Sequence, residues 1–180
     1  MILTALAAPV LGLALCAASV QAAEALTADT IKRQEKALQF DKFTNNMAFE
    51  IGVRIIELAK ANKQNVAVNI TRNGQTLFFH GMEGMTKEHD EWIRRKSNLV
   101  NRTGRSSFLT HTEVVANGGN IDAMPTFSLE NFAAHGGSFP IVIQGTGAIG
   151  TITVTGLPGP DDHALVVSAL KQYLNIKGEF

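Results

Sequence analysis

Apolar residues recur at helical spacing between Met47 and Ala61. Met47, Ile51, Ile55 and Leu58 form a stripe that Ala48, Val53 and Ile56 widen, while Arg54, Glu57 and Lys60 fall on the wet side. This predicts an amphipathic helix with Asn45 or Asn46 as its cap. A shorter helix precedes it, capped by Thr27 or Asp29 and running through Gln39, with Ile31, Ala37 and Leu38 on its apolar side. Phe40 and Phe43 then interrupt a charged stretch and dock on the core. Asn65 to Thr71 and Thr76 to His80 read as paired strands, because the Asn73-Gly74 step between them is the strongest short hairpin signal. Glu88 to Asn101 is again helical, with Trp92, Lys96, Leu99 and Thr103 on one side, Ile93 and Val100 beside them, and Gly104 as the stop. Ser106 to His111 reads as a strand, Val114 to Pro125 as a loop, and Leu129 to Ala134 as a short helix capped by Ser128.

The last third alternates turn, strand and helix. His135-Gly136-Gly137 is a turn, since paired glycines allow backbone angles that a Cβ forbids. Phe139 to Gln144 and Ile149 to Thr155 are rich in β-branched residues and read as strands joined through Gly145-Thr146-Gly147. Gly156 to Pro160 stops the second strand. Asp161 or Asp162 then caps a helix that Ala164 to Leu174 continue, with Leu165, Val166, Ala169, Leu170 and Tyr173 on or near one face. Five strands that pair mostly through hairpins predict an α+β fold: a five-stranded antiparallel sheet flanked by helices.

Composition narrows the function classes. The 180 residues are 45% hydrophobic and 18% charged, and sixteen basic side chains match sixteen acidic ones. No long-range field therefore favours nucleic acid as a partner. The single cysteine, Cys16, excludes an internal disulfide. Residues 1–23 carry no charged side chain and end in Val20-Gln21-Ala22, which reads as a secretory leader cleaved after Ala22. Cleavage implies a secreted or periplasmic mature chain; the alternative is a cytoplasmic protein with an N-terminal extension. Pro9 and Gly12 argue against a stable membrane span there. Residues 27–180 read as a single domain.

Nucleotide-binding loops, HExxH, CxxC and GxSxG are absent. The candidate chemistry is two histidines at backbone corners, His135 beside a turn and His163 in the first turn of a helix. The positive end of the helix dipole disfavours imidazolium at His163, and neutral imidazole is the form that binds a metal or haem iron. Asp162 beside His163, with His135, makes a candidate set for a divalent metal; the alternative is a capping device. Arg94-Arg95-Lys96 is either a clamp for carboxylates such as haem propionates or a solvated helix face. These readings require His135 and His163 to border a common hollow.

Several blocks of the chain resemble one family. They are Asp90 to Lys96, Gly104 to Phe108, Ala133 to Pro140, Val154 to Pro158 and Asp161 to Val167. Together they resemble the haem-degrading-domain superfamily, which includes GlcG-like proteins, the haem-binding sensor HbpS and the C-terminal domain of PduO-type cobalamin adenosyltransferases. The resemblance is to its small stand-alone members and runs from about Gln34 to the end. It implies a profilin- or PAS-like fold and dimers that assemble into larger closed oligomers. It also implies a haem or other tetrapyrrole ligand, with His135 or His163 near the iron and Arg94, Arg95 or Lys96 near the propionates, and haem breakdown or iron release as the reaction class. Two other functions stand beside it: a non-catalytic oligomeric interaction module, and a small metal-dependent enzyme using His135, Asp162 and His163.

Overall fold

The computed structural model describes residues 26–180. The leader read at residues 1–22, with Cys16, lies outside them. The elements are α1 (Ala28–Ala37), α2 (Asn45–Ala61), β1 (Ala67–Arg72), β2 (Gln75–Gly81), α3 (Lys87–Thr103), α4 (Ser107–Ala116), β3 (Ser138–Ile143), β4 (Gly147–Thr155) and α5 (Gly159–Tyr173). The sheet is antiparallel throughout, in the order β2-β1-β4-β3. It has four strands, not five, because Ser106 to His111 is not a strand. Ser106 caps α4 instead, its hydroxyl accepting the Leu109 N–H at 3.2 Å. Where a fifth strand would lie, Phe40 makes a single parallel bridge to the free edge of β3. Its N–H donates to Val142 O and its carbonyl accepts from Gln144 N–H, both at 2.9 Å.

Both faces of the sheet are covered, and the period-two alternation of β4 sorts its side chains between them. Ile152 and Val154 join Val68, Ile70, Phe139 and Ile141 in the main core, against Ile51 and Ile55 of α2 and Val166 and Leu170 of α5. On this side the Phe78 ring sits where a Gly52 Cβ would lie, so helix and strand approach closely only because residue 52 is glycine. The other face carries Thr151, Thr153 and Thr155, all buried. Over it lies α3, whose buried polar residues answer these hydroxyls. Ser97 Oγ is 2.8 Å from Thr153 Oγ1, which is also 2.8 Å from Ser138 Oγ. A polar helix can cover a sheet this way because every buried hydroxyl meets a partner.

Other local expectations need adjusting. Thr44, not Asn45 or Asn46, caps α2, its hydroxyl accepting the Met47 N–H. Leu129 to Ala134 forms turns rather than a helix, with only the Asn131 and Phe132 N–H groups returning to Ser128 O. Asn73 and Gly74 both have positive φ, 49° and 81°, as a two-residue hairpin turn requires. Among the described residues no helix is long and apolar enough to cross a membrane.

Candidate functional site

The centre of the site is built where β4 ends and α5 begins, under the middle of α3 and beside the turn that enters β3. α3 lays Lys96 across the end of β4, and α5 begins two residues after Leu157. Lys96 is 3% exposed and its Nζ donates to Asp162 Oδ2 at 2.8 Å, Val154 O at 3.3 Å and Thr155 Oγ1 at 3.5 Å. Asp162 Oδ1 accepts the Leu157 N–H at 3.1 Å. The Gly136-Gly137 turn closes over this pair: a Cβ on Gly137 would stand 2.7 Å from Asp162 Cβ and 3.1 Å from Lys96 Nζ. Burial pushes the Asp162 carboxyl up to about 6 against the pull of the Lys96 charge. Burial likewise lowers the proton affinity of Lys96, more than Asp162 restores it.

Beside the pair opens a cleft of about 240 Å³, lined by His89, Trp92, Lys96, His135 and the chain from Thr155 to Leu157, with Gly159. The His135 ring meets Trp92 edge to face at 5.0 Å, and the Arg95 guanidinium covers the indole at 4.1 Å. His135 Nε2 lies 3.4 Å from Asp122 Oδ1. A proton on Nε2, facing that carboxylate, leaves Nδ1 as the lone-pair nitrogen. Burial holds the ring below the usual histidine range, although Asp122 works the other way. His89 has the opposite tautomer. Its Nδ1 accepts the Thr86 N–H at 3.0 Å, so Nε2 carries the hydrogen and is a donor.

His163 stands apart. It is 1% exposed and packs on Phe108 and Phe139, with ring centroids 5.1 and 6.0 Å away. Its Nε2–H donates to Gln34 Oε1 at 2.9 Å, and its Nδ1 has no partner. Burial, not the helix dipole, pulls its pKa down to about 4. The expected hollow shared by His135 and His163 is therefore not formed: His135 lines the cleft and His163 is walled off by its own neighbours. Nor does the metal set of His135, Asp162 and His163 assemble, since Asp162 is engaged by Lys96 and the Leu157 N–H. Among the described residues no group of three or more His, Cys, Asp or Glu side chains is placed to hold a metal.

The cationic run is also divided. Arg94 donates to Glu91 Oε2, Asn131 Oδ1 and Glu130 O, and Arg95 to Leu129 O, so both bind the loop that leads to His135. Only Lys96 reaches the cleft, with its charge already matched. His89, Asp122, Thr155 and Leu157 are site residues that sequence reasoning did not name. His89 carried a readable signal, three residues after Thr86 where a capping-box partner sits. Asp122, in an irregular loop, carried none.

An α+β sandwich with a histidine- and tryptophan-lined cleft at the strand ends defines the class, and the sequence comparisons give the family. Haem-degrading HbpS-like proteins match residues 43–171, and the chain belongs to that family. A UPF0303 protein of Streptomyces avermitilis is 40% identical over 154 residues, covering 86% of this chain and 94% of its own. A UPF0303 protein of Sinorhizobium medicae is 41% identical over 144 residues, covering 80% and 88%. Among solved structures, Ybr137w superposes with a TM-score of 0.77 at 27% identity, covering 84% of this chain and 90% of that one. The PduOC–heme complex superposes with a TM-score of 0.62 at 15% identity, covering 77% and 99%, a likeness of fold alone.

Proposed function

We propose that this protein binds a haem-type tetrapyrrole at the Trp92–His135 cleft, with His135 as the donor to the iron. The observation that carries the reading is the state of His135. It lines the cleft with Asp122 Oδ1 3.4 Å from its Nε2, and burial favours the neutral ring, the arrangement in which proteins present histidine to a metal. Trp92 adds a flat aromatic surface. The HbpS-like family description and the haem-bound PduOC relative support the ligand class. Bound haem supplies redox-active iron. The chain's own part is to orient His135 through Asp122 and Trp92 and to place a donor, His89 Nε2–H, at the cleft wall.

The cleft would accommodate part of such a ligand. A cavity of about 240 Å³ is smaller than the roughly 300–1,000 Å³ of pockets that enclose a drug-sized molecule. The cleft would therefore take only part of the macrocycle, against Trp92 and His135. Arg94 and Arg95 are engaged by the 129–131 loop, so neither would be free to hold a propionate. Hemin titration followed in the Soret band tests this: His135→Ala weakens binding at least tenfold, and an unchanged titration refutes the assignment. The family resemblance also supports a homo-oligomer. β2 is a sheet edge and exposes Phe79 at 53%. Light scattering of Phe79→Glu tests this, a lower mass than the parent supporting an assembly through that edge.

A further inference from the structure

We propose that Lys96 is a carbonyl-capturing amine: the cleft takes a small aldehyde or ketone and holds it as a Schiff base on Lys96 Nζ, with Asp162 moving the proton. The Lys96–Asp162 pair is not sealed inside the core; Lys96 forms part of the lining of a cleft that also presents an indole, a leucine, a hydroxyl and an imidazole N–H. A buried ion pair is a poor way to hold elements together, because apolar residues of the same volume do so about as well or better. A charge pair kept at the wall of a ligand-sized cleft points to chemistry.

The lining selects the ligand. Trp92 and Leu157 suit a flat or branched carbon skeleton, while Thr155 Oγ1 and His89 Nε2–H suit the carbonyl oxygen. The charge on Lys96 is matched by Asp162, Arg94 donates to Glu130 O, and Arg95 is held between Leu129 O and the Trp92 indole, so the site favours a neutral carbonyl over a carboxylate. At about 30 Å³ per water, the cavity has room for a small molecule. The step balances. The Lys96 ammonium gives a proton to the Asp162 carboxylate, and the freed lone pair forms a C–N bond to the carbonyl carbon. A proton shift from nitrogen to oxygen gives the neutral carbinolamine. The C–O bond then breaks as Asp162 returns its proton to the departing hydroxyl, leaving one water and the protonated imine.

The inference stands on the cleft geometry and does not depend on haem binding. The test is benzaldehyde with sodium cyanoborohydride on the full chain, read by intact mass and peptide mapping. The expected result is a benzyl adduct on Lys96 ahead of the exposed Lys36, Lys63 and Lys87, slower in Asp162→Asn. Lys96→Arg keeps a cation for Asp162, so it retains the fold by circular dichroism and loses that adduct. Adducts confined to exposed lysines, or a Lys96 rate unchanged by Asp162→Asn, overturn the proposal.

Discussion

Lowering the pH from 7.5 to 5.0 should destabilise this protein through His163, and the size of the loss follows from its surroundings. The ring is buried between Phe108 and Phe139, gives its one hydrogen to Gln34, and has no partner for a second. The unfolded chain takes a proton at this position near pH 6.5, whereas the folded chain resists until about 4. The stability is therefore complete above pH 6.5, falls as the pH drops through that window, and levels off below about 4. At 1.36 kcal/mol per pKa unit the full loss is about 3 kcal/mol, of which about 2 kcal/mol appears by pH 5. Asp162 acts in the opposite sense: with its pKa raised to about 6, the folded state takes the proton first and gains stability as the pH falls toward 3.8. The raw profile mixes the two. His163→Gln separates them, because its amide N–H can still donate to Gln34 but does not titrate. Urea unfolding at both pH values should show the parent losing about 2 kcal/mol more than the variant. Equal losses would refute the claim that a neutral, desolvated imidazole sits at this position.

Two further outcomes follow from the Lys96–Asp162 pair and the turn above it. Lys96→Met leaves a buried carboxylate without its cation and should cost about 3–5 kcal/mol in chemical denaturation, while the double variant Lys96→Met/Asp162→Leu recovers most of it. Gly137→Ala should lower the melting temperature far more than Gly74→Ala. Both glycines have positive φ, but a Cβ at 137 strikes Asp162 and one at 74 meets open space.

Local signals foretold much of the architecture. The Asn73-Gly74 hairpin, the stripe on α2, the Gly104 stop and the paired strands at the C-terminal end each depend on neighbours in sequence, and each is where the sequence placed it. Ser106 to His111 misled because so short a segment fits strand and helix equally, and the deciding contact, Ser106 on the Leu109 N–H, makes Ser106 a helix cap. Chemistry was harder to read. His135, Asp162 and Lys96 were all recognisable as candidates, but their roles depend on partners far along the chain: Lys96 on Asp162, His135 on Asp122. His163 shows the limit most clearly. Its place in the first turn of a helix was legible, yet its burial is set by Gln34 and Phe108, which nothing near residue 163 announces. Arg94 and Arg95 could not be separated from Lys96 until the 129–131 loop was seen to bind them.

The most direct test of the central claim, that ligand chemistry is centred on His135 and not on His163, is a hemin titration of three proteins side by side. The parent and His163→Gln should show the same Soret shift at the same hemin concentration, while His135→Ala should lose it or need at least ten times more hemin. A titration that His163→Gln weakens and His135→Ala leaves intact would contradict the account.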